Sequence, residues 1–152
     1  MIEVGDMAPD FELPSDRGDV VRLSDLRGTR VILFFYPRDD TPGCTKEACG
    51  FRDAMPAIVE RNATVLGVSA DPVASHERFR DKYELNFPLL ADVDHAVAEA
   101  YGAWGTKKLY GREYEGILRS TFLIGVDGRL EKVYRRVRPA EHASEVVSEL
   151  DQ

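Results

Sequence analysis

Six consecutive apolar residues, Val31-Ile32-Leu33-Phe34-Phe35-Tyr36, constrain this chain more than any other feature. A half-exposed strand alternates apolar and polar side chains. This run does not, so it reads as a central strand covered on both faces, as in parallel α/β sheets. It is far too short to span a bilayer. Upstream, Phe11-Glu12-Leu13 and Val20-Val21-Arg22-Leu23 flank the turn-rich Pro14-Ser15-Asp16-Arg17-Gly18-Asp19 and predict a β-hairpin. Ser24-Asp25-Leu26 fits one short helical turn. Downstream, a loop over 37–43 leads into a helix over 44–61, with Ala48, Phe51, Met55 and Ile58 at spacings of three and four.

The same alternation continues to the C-terminus. Residues 64–69 read as a second buried strand. Asp71-Pro72 opens a helix with Phe79 and Tyr83 on one face. A short strand over 87–91 and a short helix over 96–101 follow. Strands over 119–124 and 130–135 form a hairpin around Val126-Asp127-Gly128-Arg129. Pro139, at a first helical position, opens a last helix with Val146, Val147 and Leu150 inward. Strand–helix alternation gives a parallel core and the late hairpin adds antiparallel strands. The expected architecture is a three-layer α/β sandwich with a mixed central sheet and an N-terminal hairpin. No linker, repeat or composition break divides the chain, so residues 1–152 read as one domain.

Charge narrows the function classes. A net charge of -7 and a pI near 5.0 make nucleic acid and anionic membranes poor partners. The start, Met1-Ile2-Glu3-Val4-Gly5-Asp6, has neither a basic nor an apolar signal region, so a cytoplasmic protein is expected. His76, His95 and His142 lack metal-ligand spacing and read as surface residues; no metal is implied. No phosphate-binding glycine pattern is present, so no nucleotide or other cofactor is implied. Lys107-Lys108 reads as solvated. Tyr101, Trp104, Tyr110 and Tyr114 read as core rather than as part of a site.

The two cysteines stand in Tyr36-Pro37-Arg38-Asp39-Asp40-Thr41-Pro42-Gly43-Cys44-Thr45-Lys46-Glu47-Ala48-Cys49. A buried strand ends here, a Pro/Gly loop turns, and a helix begins at or near Cys44. Ligands bind at this place in open α/β sheets, beyond the carboxyl end of a central strand. A helix N-terminus offers unpaired N–H groups and a partial positive charge, which favour thiolate, the reactive form of cysteine. Ionisation alone achieves little. A thiol of pKa about 8.5 gains only about thirtyfold, roughly 2 kcal/mol, on full ionisation at neutral pH. Rapid chemistry therefore needs groups that grip the substrate and its leaving atom. The Thr41 hydroxyl and the N–H groups of Gly43 and Cys44 are candidates.

Pro37-x-x-x-Thr41-x-x-Cys44 resembles the peroxiredoxin active-site pattern, and Thr41-Pro42-Gly43-Cys44-Thr45-Lys46-Glu47-Ala48-Cys49 is similar to the Q-type peroxiredoxins, also called bacterioferritin comigratory proteins. The likeness extends through Gly5-Asp6-x-Ala8-Pro9-Asp10-Phe11, Gly67-Val68-Ser69-x-Asp71, Phe87-Pro88-Leu89-Leu90-x-Asp92, Tyr101-Gly102-x-Trp104-Gly105 and Arg119-Ser120-Thr121-Phe122-Leu123-Ile124. It implies a thioredoxin-like fold and thiol-dependent reduction of hydrogen peroxide and organic hydroperoxides. It implies Cys44 as the peroxidatic cysteine and Cys49 as the resolving cysteine, joined in an intramolecular disulfide. Pro37, Thr41 and Arg119 match the family's active-site residues. Thioredoxin or a similar dithiol is the implied reductant, and a monomer is the implied state. Without the resemblance, Arg119 reads as a solvated strand residue.

The spacing of the two thiols poses a geometric problem. Residues i and i+5 of one helix lie about 7.5 Å apart along its axis, with Cα atoms about 8.7 Å apart. A disulfide tolerates about 7 Å. If both thiols are helical, the first turns must unwind before they can join. Gly50 and Pro56 weaken the helix and favour that opening. Two rival readings are a thioredoxin-like disulfide oxidoreductase without peroxidase activity and a non-catalytic thioredoxin-like binding domain. The first normally uses two residues between its cysteines, not the four found here.

Overall fold

The computed structural model describes residues 2–152. The chain runs β1 (Glu12–Pro14), β2 (Val20–Arg22), β3 (Arg30–Phe35), α1 (Pro42–Glu60), β4 (Ala63–Ser69), α2 (Val73–Tyr83), β5 (Leu89–Ala91), α3 (Ala96–Ala100), β6 (Trp104–Leu109), β7 (Arg112–Ile117), β8 (Ser120–Ile124), β9 (Leu130–Tyr134) and α4 (His142–Leu150). A 3-10 turn at Leu23–Leu26 links β2 to β3. The main sheet has five strands in the order β5-β4-β3-β8-β9. β3, β4 and β5 are parallel, while β8 lies antiparallel to both β3 and β9. β1 and β2 form the expected N-terminal antiparallel pair.

β3 occupies the centre because its side chains have apolar neighbours on both faces. Residues 31 to 36 are at most 2% exposed. Val31, Leu33 and Phe35 pack with Phe11, Leu13, Ala98, Tyr101 and Phe122. Ile32, Phe34 and Tyr36 pack with Ala48, Phe51, Ile58, Phe79 and Val146. One outer layer is therefore α1, α2 and α4. The other combines α3 with β1 and the residues flanking it. Two cores on one sheet make the three-layer mixed sandwich that the strand–helix pattern predicts.

Two helices and one hairpin depart from expectation. α1 begins at Pro42, two residues earlier than the predicted start. Proline suits a first helical position, since its φ is preset and its missing N–H has no helical role there. α4 begins at His142 rather than Pro139. Residues 139–141 make a turn first, with the Glu141 N–H bonded to the Arg138 carbonyl. β6 and β7 form an antiparallel hairpin that the sequence reading does not assign. Its polar residues, among them Lys107, Lys108, Arg112, Glu113 and Glu115, hide the period-two signal. Its turn, Tyr110-Gly111, takes positive φ at both positions (51° and 76°), as a two-residue hairpin turn requires.

Inside α1, Pro56 frees the Arg52 carbonyl, and the Asn86 side-chain amide donates to it at 3.2 Å. Gly50 has a packing role besides its low helix propensity: a Cβ there would sit 3.3 Å from the Ala143 Cβ on α4. The tightest glycine in the core is Gly67 on β4. A Cβ at that position would lie 2.9 Å from Cζ of Phe34, whose ring stacks on Phe51. Gly67→Ala is expected to lower unfolding stability by about 1–3 kcal/mol in denaturant titration, because the core has no room for a methyl. Recovery of part of that loss by Phe34→Leu would confirm the cause; unchanged stability in Gly67→Ala would contradict it.

Candidate active site

The antiparallel register of β3 and β8 pairs Phe35 with Ser120. The start of β8 therefore lies beside the carboxyl end of β3, where the chain turns through loop 37–41 into α1. This places Arg119 against the first turn of α1. Its guanidinium Nη2 donates to Cys44 Sγ at 3.3 Å and its Nη1 donates to Glu47 Oε1 at 2.8 Å. Cys44 and Glu47, three apart, share one face of α1. Gly43 admits the guanidinium: a Cβ there would stand 3.1 Å from Nη2.

The cluster is buried. Cys44 and Glu47 are each 1% exposed. Burial pushes the Glu47 carboxyl up to about 7, against the opposing pull of Arg119. Burial disfavours the charge of Arg119 as well, but Cys44 and Glu47 outweigh it and hold the guanidinium above its ordinary range. The second Glu47 oxygen, Oε2, is buried and finds no hydrogen-bond partner among the described residues. Helix geometry leaves the N–H groups of Gly43 and Cys44 without intrahelical acceptors, while Thr45 N–H bonds to the Thr41 carbonyl at 2.8 Å.

Thr41 is the N-cap residue of α1, but its side chain does not cap the helix. Its hydroxyl donates to the Arg38 carbonyl at 2.9 Å, which leaves its lone pairs free to accept. Pro37 stands half-buried in the loop between β3 and α1. Together with Arg38, Trp104, Lys107, Tyr114 and Ile117 it bounds a cavity of about 370 Å³. Cys49 is partly buried on the same continuous helix as Cys44, and both thiols are free. The structure thus brings Cys44 and Arg119 into contact, sets Pro37 and Thr41 on the adjoining loop, and holds Cys49 apart.

Several residues differ from their sequence reading. Lys107 is not solvated. Its ammonium donates to the Ile117 carbonyl at 2.8 Å, and burial, with help from Arg119, lowers its pKa against the pull of Cys44. Tyr101 is core, but Tyr110 is 96% exposed at the β6–β7 turn. His76 and His142 are buried rather than superficial. His76 faces Asp39 and the Leu90 carbonyl, whereas His142 faces Thr121 and Glu145. His95 stacks on Trp104, with ring centroids 3.8 Å apart. An acidic residue near a helix start is common, so Glu47 does not stand out in the sequence. Its spacing of three from Cys44 was the available signal.

Comparison with known proteins gives the family. Residues 4–133 match the AhpC/TSA family. The chain is 48% identical to peroxiredoxin Bcp of Bacillus subtilis, over 98% of this chain and 95% of that protein. It is 44% identical to peroxiredoxin Bcp of Escherichia coli, over 97% and 94%. The solved structure of PrxQ from Xylella fastidiosa superposes with a TM-score of 0.94 at 36% identity, covering 99% of this chain and 96% of that one. A Xanthomonas campestris bacterioferritin comigratory protein, studied for alkyl peroxide reduction, superposes with a TM-score of 0.88 at 36% identity over 93% and 90%. The thioredoxin-like sandwich expected from the sequence holds along the chain, which belongs to the AhpC/TSA family and, within it, to the Bcp or Q-type peroxiredoxins.

Proposed function

We propose that Cys44 is the attacking thiolate, and Cys49 the resolving thiol, of a cycle that reduces hydrogen peroxide and organic hydroperoxides. The observation that carries this reading is the Arg119 guanidinium, which bridges Cys44 Sγ and the Glu47 carboxylate at the end of the central strand. An arginine N–H aimed at sulfur holds a thiolate by a charge-assisted hydrogen bond. The same guanidinium can donate to a peroxide oxygen that approaches that sulfur.

The sulfur attacks the terminal peroxide oxygen and the O–O bond breaks. Cys44 becomes a sulfenic acid, and the departing alkoxide or hydroxide takes a proton from solvent. Arg119 and the N–H groups of Gly43 and Cys44 stabilise the charge that moves between the two oxygens. Thr41, with its own proton engaged by Arg38, accepts the peroxide O–H and orients it. Pro37 limits water at the mouth, and the cavity beside it has room for the organic part of a hydroperoxide.

Cys49 then displaces hydroxide from the sulfenic sulfur, giving the Cys44–Cys49 disulfide and water. Because both residues belong to one helix, this step requires the first turns of α1 to release. An external dithiol of the thioredoxin type reduces the disulfide by exchange and is itself oxidised. Such a cycle suits a reducing, cytoplasmic setting, and two cysteines on one helix suit a monomer. Residues 1–152 act as one domain in this reading. Contacts between the N-terminal residues and β9, such as the Gly5 N–H on the Leu130 carbonyl, support that view. No helix among the described residues is long and apolar enough to cross a membrane.

Cys44→Ser is expected to abolish peroxide reduction, while Cys49→Ser completes one rapid turnover and then waits for an external thiol. Rapid mixing with peroxide followed by intact mass measurement separates these outcomes. Full steady-state turnover of Cys49→Ser with thioredoxin would rule out its resolving role. Arg119→Ala is expected to slow the first step by about 10²–10³-fold. A loss of about thirtyfold or less would leave thiol ionisation as a sufficient explanation.

Glu47 gives the site a pH signature. The folded chain keeps a proton that the unfolded chain releases, because burial raises the carboxyl from 4.5 to about 7. The associated stability is fully present below the unfolded value and is lost as pH rises through the folded one, a change of about 3 kcal/mol. Glu47→Gln is expected to flatten that fall. Denaturant titrations of both proteins near pH 4.5 and above pH 7 test it, and an equal fall in the two would exclude Glu47 as its source.

A further inference from the structure

Loop 37–41 joins β3 to α1, and its midpoint is a buried carboxylate. Asp39 lies two positions after Pro37 and two before Thr41. Its Oδ1 accepts from the Tyr36 hydroxyl at 2.6 Å. Its Oδ2 accepts from the Ser75 hydroxyl at 2.8 Å and faces His76 Nδ1 at 2.7 Å. The Asp39 N–H donates to Asp71 Oδ2 at 2.8 Å, and the Ser69 hydroxyl holds that same oxygen at 2.7 Å. The neighbouring Asp40 adds only exposed contacts, to Lys82 and Tyr83.

Proton counting makes the Asp39–His76 contact specific. His76 is fully buried, and its Nε2 lies 2.9 Å from the Leu90 carbonyl oxygen. A carbonyl only accepts, so Nε2 carries a hydrogen. The short contact between Nδ1 and Oδ2 requires a second proton. The pair is therefore either imidazolium with carboxylate or imidazole with carboxylic acid, and the heavy-atom geometry is the same for both. Buried polar groups persist at low cost only when every member has a partner, and both side chains here meet that condition.

The partners share a further property. Tyr36, Ser69, Asp71, Ser75, His76 and Leu90 all lie outside α1. Opening the first turns of α1 breaks none of these bonds. We propose that the Asp39–His76 pair is the positioning group of the peroxide-binding loop. It pins the loop to α2 and to the ends of β3, β4 and β5, so Pro37 and Thr41 keep their places while the helix carrying Cys44 opens and re-forms. The proposal rests on the reading of Cys44 as the attacking thiol.

The test compares Asp39→Ala, Asp39→Asn and His76→Phe in the full chain, with Cys44→Ser as control. Two rate constants are measured for each at Cys44, resolved from Cys49 by peptide mass mapping: oxidation by hydrogen peroxide and alkylation by iodoacetamide. Alkylation reports a reactive, accessible sulfur and does not depend on a peroxide cradle. Asp39→Ala is expected to slow oxidation by about ten- to a hundredfold, the scale of a misplaced cradle, while alkylation changes far less. Asp39→Asn restores most of the rate. Its carboxamide oxygen accepts from Tyr36 and its N–H donates to Nδ1 of a neutral His76, which keeps Nε2–H on Leu90. His76→Phe fills the volume without the donors and is expected to reproduce the alanine loss.

Asp39→Ala or His76→Phe oxidising at the parental rate would overturn the proposal. So would Asp39→Asn as slow as Asp39→Ala, or oxidation and alkylation falling together. Peroxide reduction by Cys44→Ser would remove the underlying reading, and the proposal with it. That failure is distinguishable because it appears in the control alone.

Discussion

One guanidinium shared between a sulfur and a carboxylate sets the terms for the rest of this structure. Arg119 has to enter a buried space, and burial by itself disfavours its charge. Two groups on one face of α1 offset that cost. Neither can be reached unless β8 runs antiparallel to β3, which puts its first residue beside the last of the central strand. Gly43 eases the approach, because a Cβ there would stand only 3.1 Å from Nη2. Sheet topology, a glycine and a helix register of three residues thus converge on a single contact. Among the described residues Glu47 Oε2 is buried without a hydrogen-bond partner. Its counterpart is the raised carboxyl pKa, since a proton on Glu47 relieves what Arg119 cannot.

The same packing that assembles the site opposes the second half of the proposed cycle. Cys44 and Ala48 belong to the core on the helical face of the sheet, and the helix runs unbroken through Cys49. A disulfide between these thiols requires that this part of the core be given up. The requirement is local. Phe51 stacks on Phe34 at 4.9 Å, the Arg52 guanidinium donates to the Tyr83 carbonyl at 2.7 Å, and Asn86 holds the carbonyl that Pro56 leaves free. These contacts anchor α1 from Phe51 onward and confine release to the turns before it. Gly50 stands at that boundary.

Much of this was legible in the sequence, for identifiable reasons. The unbroken apolar run of β3 has one physical interpretation, and it locates the centre of the sheet. Proline, threonine and cysteine at their spacing mark a strand-to-helix turn, and α1 starts two residues before the position they suggest. The β6–β7 hairpin was illegible because a strand lying over the surface carries charge on both faces. Periodicity registers only when one face is buried. The partners of Arg119 are separated from it by 75 and 72 residues, a distance that only folding closes. His76 and His142 were misread for a related reason. A histidine is buried when the fold supplies hydrogen-bond partners for both ring nitrogens, and the Leu90 carbonyl and the Thr121 hydroxyl come from strands outside the histidine's own helix.

Placement of the anchoring bonds therefore follows a division of labour between the two sides of the thiol. Downstream of Cys49, aromatic stacking and arginine contacts fix the helix to α2 and the sheet. Upstream of Pro42, Asp39 fixes the loop to residues that α1 does not include. Between them, the first two turns of α1 are held by helix bonds, by the packing of Cys44 and Ala48, and by Arg119. Oxidation of Cys44 acts on the last of these directly, because the sulfur that the guanidinium holds as an anion becomes a neutral sulfenic acid in the proposed cycle. The loss of that charge weakens one of the two hydrogen bonds by which Arg119 ties the segment to the start of β8, the other being its bond to Glu47. Local opening then needs no separate trigger: the chemistry that creates the need for it also loosens the contact that resists it.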